Sequence, residues 1–155
     1  MQFKKEQQDA YLKAATICSQ AEKCTSEIRE KLKQWGLSDE ASVPVIEQLK
    51  AEKYLDDERF ARAYVKDKYR FNHWGKQKIE YMLRAKHISQ EILQMAFEEL
   101  VEDDYSEGLL KLLSDKASSI KAKDKYDKRN KLMRFAMGRG FESGKVYAIF
   151  KEMGI

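Results

Sequence analysis

The chain has 155 residues, of which 43% are hydrophobic, enough apolar material to build a buried core. Its 30 basic and 26 acidic residues leave a formal net charge of +4, a modest excess that only hints at an acidic partner. No window approaches the ~18 uninterrupted apolar residues of a spanning helix, and with one proline, seven glycines and no alternating apolar–polar run the chain is predicted to be all-α.

The start, Met1 to Glu6, is polar and carries no apolar signal-peptide run, which predicts a cytoplasmic protein. A first helix is expected over about Lys4 to Gln20, with mixed polar residues along it. Cys18 and Cys24, six positions apart in a helix-forming stretch, project to different sides. They suit neither a disulfide nor a zinc site, and read as free thiols in a reducing compartment.

From Ile28 onward the chain repeats itself. Ile28, Leu32 and Leu37 recur as Ile79, Leu83 and Ile88, each 51 positions later. They recur again as Leu132, Ala136 and Phe141, 104 positions after the first set. Each copy reads as a helix ending in a small or polar residue, one apolar residue, and a new helix start. Three units follow: residues 1–53 with an irregular opening helix, 54–102, and 103–155. One such unit buries little alone, so stacked units forming an elongated, curved molecule are expected.

In the middle unit the first helix is expected over about Asp57 to Phe71, with Phe60, Ala61, Tyr64, Val65 and Phe71 on one face. Asp56 is placed to cap it, and Leu55 and Phe60 stand at the two positions of a hydrophobic staple. Ser89, Ile88 and Leu93 repeat that arrangement before a third helix over Gln90 to Val101. In the last unit the apolar positions are Leu109, Leu110, Leu113, Ala117 and Ile120, then Leu132 to Met137, then Val146, Tyr147, Phe150 and Met153.

One surface feature bears on function. At about 100° per residue, Arg59, Arg62, Lys66 and Arg70 fall on one helix face, a basic stripe about 16 Å long. Trp74, Lys76 and Lys78 continue it through the following turn. The plain reading is a solvated face, but such faces usually mix charges for pairing one turn apart. A single-sign stripe suits a phosphate backbone or an acidic protein surface. A second cluster, Lys128, Lys131 and Arg134 with neighbours, is interrupted by Asp127, which is spaced to pair with Lys131. Trp35 and Trp74 could stack on bases, although a tryptophan at a helix junction is commonly core.

Catalytic patterns are missing. His73 and His87 lack HxxE or HExxH neighbours, and no Cys–His pair recurs. Gly138 to Val146 imitates a phosphate loop, but Gly140 and Gly144 are one residue too close and Val146 stands where Ser or Thr would bind magnesium. These residues read as the turn into the final helix. Asp56-Asp57 and Asp103-Asp104 read as carboxylates at the positive ends of helices. No enzyme, metal or cofactor is expected.

Tyr54-Leu55-Asp56-Asp57-Glu58-Arg59-Phe60-Ala61, then Gly75-Lys76-Gln77-Lys78-Ile79, then Leu83 and Ile88-Ser89, resemble the central signature of the RecX family. Leu55, Asp56, Asp57, Phe60, Ala61, Ile79 and Leu83 carry it as structural positions. The resemblance implies tandem three-helix repeats. It also implies a non-catalytic regulator acting in recombination, DNA repair and the SOS response, one that binds RecA and RecA–DNA filaments in the filament groove. Such a protein limits filament growth, strand exchange and coprotease activity, and some members bind single- or double-stranded DNA directly. Where that family's first repeat often carries a basic stretch, this chain has Cys18-Ser-Gln-Ala21-Glu22-Lys23-Cys24. Partner contacts are therefore expected in the middle and last repeats of a monomer that stays off membranes.

Overall fold

The computed structural model describes residues 3–155; Met1 and Gln2, part of the polar start, lie outside the described residues. Nine α-helices follow one another in three sets of three, and no strand occurs among the described residues. The first set is α1 (Lys5–Gln20), α2 (Thr25–Gln34) and α3 (Asp39–Ala51). The second is α4 (Asp57–Asn72), α5 (Lys76–Ala85) and α6 (Gln90–Ala96). The third is α7 (Glu102–Ser119), α8 (Lys125–Gly138) and α9 (Ser143–Met153).

The repeat has one physical basis, a turn used three times. Gly36, His87 and Gly140 occupy the same place after the second helix of their sets, all with left-handed backbone (φ 91°, 61° and 91°). In each, the next amide reaches back to a carbonyl five residues earlier: Leu37 to Leu32 (3.0 Å), Ile88 to Leu83 (3.2 Å) and Phe141 to Ala136 (3.1 Å). This is the Schellman closure, which satisfies the carbonyls orphaned at a helix end. It also turns the apolar residue after the left-handed position inward. Leu37, Ile88 and Phe141 are all buried, with Ile28, Leu32, Ile79, Leu83, Leu132 and Ala136 beside them. The third helix then starts on a capping serine in the first two sets, where Ser38 Oγ accepts from Ala41 N–H and Ser89 Oγ from Ile92 N–H.

Three separate cores result. The chain exposes 9860 Å². A compact monomer of this mass exposes about 8,100 Å² by the usual scaling, so the molecule is elongated. Successive sets dock through one geometry, in which the start of the second helix of one set meets the turn after the second helix of the next. Ser26 Oγ donates to the Lys86 carbonyl at 2.6 Å in the first junction. In the second, Gly75 N–H donates to the Arg139 carbonyl at 2.7 Å and Gln77 N–H to the Gly140 carbonyl at 3.0 Å.

Four expectations need correction. Leu55 does not staple onto Phe60: it packs in the first core with Leu49, while Phe60 belongs to the second. Its amide bonds the Leu49 carbonyl at 3.2 Å, because Lys53 turns left-handed (φ 66°) and folds the chain back over α3. Phe71 leaves the core face and is 72% exposed, placed on the last turn of α4 next to the left-handed His73 (φ 56°) that ends the helix. Tyr147, also placed inward, is 56% exposed. The third helix of the middle set ends at Ala96, not Val101; Phe97–Glu99 tighten into a 3₁₀ turn whose carboxylates reach Arg62.

Candidate partner-binding surface

The four cations of the stripe divide into two pairs. Arg59 is held: its Nε donates to both carboxylate oxygens of Glu22 at 2.8 and 2.9 Å, and its other arm reaches the Lys53 and Tyr54 carbonyls. Arg62 meets Glu58 at 3.0 Å, Glu99 at 3.1 Å and Glu98 at 3.4 Å. These carboxylates hold both guanidiniums above their ordinary pKa, Glu22 for Arg59 and chiefly Glu58 for Arg62. The face read as free of acids is therefore neutralised along its first half. Lys66 and Arg70 remain exposed, and neither is ion-paired among the described residues.

Trp74 is half-buried against the second core, with the Lys68 and Lys78 ammoniums 5.1 and 4.6 Å from its ring centre. Lys78 is thus anchored by a cation–π contact instead of standing free. Trp35 packs against the first core with Lys13 over its ring. Lys76 lies in the second junction, where its amide donates to the Tyr105 hydroxyl at 3.0 Å and its ammonium is 3.9 Å from Glu102. In the last set Lys131 pairs with Asp127 at 3.2 Å and donates to the Lys121 carbonyl at 2.6 Å. Lys128 and Arg134 have no ion pair among the described residues, and Arg134 is exposed. The stripe and the second cluster thus contribute Lys66, Arg70, Lys128 and Arg134 as unpaired cations.

The junctions themselves were missed by sequence reasoning. Tyr105 is buried between the second and third sets; its hydroxyl accepts from Lys76 N–H and donates to Glu142 at 2.6 Å. Burial, and then the bond to Glu142, hold this phenol far above its ordinary pKa, so it stays protonated and donating. Glu142 occupies the repeat position of the capping serines Ser38 and Ser89, and it forms no side-chain cap. That departure from the repeat was the available signal. In the first junction, Asp57 accepts from Thr25 N–H at 2.7 Å and from Thr25 Oγ at 2.9 Å. The two signature aspartates therefore do different work: Asp56 caps α4 through Arg59 N–H at 3.0 Å, and Asp57 caps the preceding set's α2.

Glu27 and Lys86 complete that junction at 3.0 Å. Burial pushes the Glu27 carboxyl up, but the Cys24 amide and the Lys86 ammonium outweigh it and hold the pKa below its ordinary value. A depressed carboxyl pKa stabilises the fold above the ordinary pKa and loses that contribution as pH falls through the folded value. Glu27→Gln is expected to lower stability by about 1 kcal/mol at neutral pH, discounted for partial exposure. The deficit should close as the medium is acidified past the ordinary glutamate range. Urea melts of both proteins from neutral to acid pH check this, and a deficit that persists in acid rules it out.

Among the described residues no three His, Cys, Asp or Glu side chains converge as metal ligands, and no helix is long and apolar enough to cross a membrane. Fold and surface together define an all-helical protein of tandem three-helix domains, with unpaired cations on its helix faces and acids held inside its junctions. Residues 56–96 match the family model described as the second three-helix domain of RecX, and residues 102–150 its third. The chain is 33% identical over 127 residues to the regulatory protein RecX of Prosthecochloris aestuarii, covering 82% of both chains. It is 34% identical over 122 residues to that of Clostridium perfringens strain 13, and there spans 57% of the relative's length. The chain belongs to the RecX family. Two crystal structures share the fold: RecX from Lactobacillus salivarius, with TM-score 0.88, 19% identity and 96% and 97% coverage of the two chains, and a second regulatory protein RecX, with TM-score 0.85, 23% identity and 95% and 73% coverage.

Proposed function

We propose that this chain is a non-catalytic cytoplasmic regulator that binds RecA and RecA–DNA filaments in the filament groove, and limits filament growth, strand exchange and coprotease activity. One observation carries the reading of the surface: Lys66 and Arg70 are exposed and unpaired on the middle repeat, where most other cations are tied down. A groove shared by neighbouring protomers lets three linked units touch more than one of them. Linked weak contacts multiply through effective concentration, which selects the filament over the free protomer. Binding one filament state then shifts assembly without hydrolysing anything.

Co-sedimentation with preformed RecA–single-stranded-DNA filaments tests the reading. Lys66→Glu with Arg70→Glu should leave the melt unchanged, since neither charge is paired, and should weaken filament binding about tenfold at low salt, the deficit shrinking as screening rises. A folded double variant that pellets with filaments like the parent at low salt would remove the surface from the proposal.

A second reading, direct sequence-nonspecific DNA binding, rests on the last set. Tyr126 is 75% exposed, and the Arg129 guanidinium stacks 5.9 and 5.3 Å from the ring centres of Tyr147 and Phe150. Exposed rings beside arginine suit nucleobase stacking. On this reading Tyr126→Ala with Tyr147→Ala weakens naked single-stranded DNA binding, and the parent binds naked single-stranded DNA as tightly as it binds DNA coated with RecA.

A further inference from the structure

Between the last turn of α4 and the middle of α7 lies a groove of about 390 Å³ that none of the contacts above occupies. Its floor is apolar, made by the Tyr69 ring, Leu112 and the buried Phe141. The Tyr69 hydroxyl already donates to the Asp104 carbonyl at 3.0 Å. Gly108 leaves room for that ring, since a Cβ there would meet the Tyr69 hydroxyl at 2.2 Å. At the mouth stand Arg70 from α4, His73 directly after it and Lys111 from α7, all exposed, with Asp115 one turn beyond Lys111. Neither Arg70 nor Lys111 is ion-paired among the described residues.

We propose that this groove takes one large apolar side chain of a partner protein, from a segment whose flanking residues are carboxylates. The proposal deepens the filament reading and rests on it for the partner's identity as a RecA protein surface. The volume falls at the low end of ligand pockets, about 300–1,000 Å³, which suits a single anchoring residue. An apolar anchor in a desolvated pocket ringed by charge is the usual form of an interface hot spot. Three features favour a peptide over a nucleic acid. The cations converge on one mouth instead of running along a track, so they match two or three carboxylates around an anchor better than a repeating phosphate chain. The floor's one phenol is already engaged with Asp104, leaving it poorly suited to reading base edges. Asp115 on the wall offers its carboxylate to a backbone N–H, a donor that a peptide carries at every residue and a phosphodiester chain lacks. Because α4 and α7 belong to neighbouring sets, the groove exists only while the second junction is closed.

The test is a titration of the isotope-labelled full chain, followed by backbone amide resonances, with the blocked pentapeptide Asp-Glu-Phe-Glu-Asp and its counterpart bearing Ser for Phe. The Phe peptide should shift His73, Gly108 and Leu112 and bind at least tenfold more tightly than the Ser peptide. Lys111→Glu, an exposed unpaired position, should weaken it about tenfold, and Leu112→Trp should abolish the shift at Gly108 by filling the floor. Equal binding of the two peptides, or shifts confined to other sites, overturns the proposal. So does a 20-nucleotide oligo(dT) that shifts the same resonances more tightly than the peptide and loses that effect in Lys111→Glu, which would assign the groove to nucleic acid. Co-sedimentation separates the two levels. A parent that pellets with filaments but shows no peptide shift fails the groove alone; a parent that shows the shift but does not pellet fails the filament reading alone.

Discussion

Gly140→Ala should lose about 2–5 kcal/mol of stability and loosen the last three-helix set from the middle one. Two costs add. The backbone is left-handed there (φ 91°), which burdens an alanine by about 1–2 kcal/mol. The new Cβ would also sit 2.3 Å from the Lys78 Cβ and 2.6 Å from its backbone nitrogen, a clash with backbone that cannot rotate away and that costs about 1–3 kcal/mol when a core is overpacked. Relieving it stretches the bonds from Gly75 and Gln77 that close the junction. The repeat supplies an internal control. Gly36 has the same φ of 91° at the same repeat position, but a Cβ there would meet nothing within 4 Å. Gly36→Ala should therefore show the conformational part only. Urea melts of the two variants decide it, and equal losses would mean that the close approach at Gly140 contributes nothing. His87, with a full side chain and φ 61° at the equivalent place in the middle set, shows that the turn itself does not demand glycine.

The second large effect is expected at Asp57. Asp57→Ala removes the acceptor for both the amide and the hydroxyl of Thr25, a residue only 7% exposed, and leaves a nearly buried N–H without a partner. Hydrogen bonds to a charged acceptor are worth about 1.5–3 kcal/mol and an orphaned donor about 1–3, so a loss of about 2–4 kcal/mol is expected. Asp56→Ala, which removes only the cap of α4, should lose about 0.5–2 kcal/mol. A double-mutant cycle with Thr25→Val locates the difference: the Asp57 loss should shrink once the Thr25 hydroxyl is gone, and the Asp56 loss should not. If Asp57→Ala costs no more than Asp56→Ala, the two aspartates are ordinary caps and the first junction is held by other contacts.

The expected role of the basic stripe changed most between sequence and structure. Arg59 and Arg62 share a face with Lys66 and Arg70, and on a helical wheel the four are equivalent. They differ because Glu22 arrives from α1 and Glu98 and Glu99 from the turn after α6. Reversing Arg62 would strand three carboxylates against a fourth negative charge, so a folding defect there would say nothing about a partner. Lys66 and Arg70 are the pair to reverse.

What this sequence determined by itself is whatever depends on residues near one another along the chain. Helix content follows from intrinsic propensity, the three turns from a small or polar residue followed by an apolar one, and the buried faces from spacing. Ile28, Leu32 and Leu37 and their two sets of counterparts were legible for that reason, and all nine are buried. The tertiary structure alone decided which polar groups meet. Asp57 grips Thr25 from 32 positions away, and Glu142 takes the Tyr105 hydroxyl from 37. Phe71, apolar and correctly spaced, faces water. Periodicity records which side of a helix is apolar, but whether a charge is neutralised or an apolar turn is covered depends on the neighbouring set. Those sets dock through backbone groups at Gly75, Arg139 and Gly140; the two glycines leave room for the close approach, but nothing in the sequence says which distant backbone each one meets.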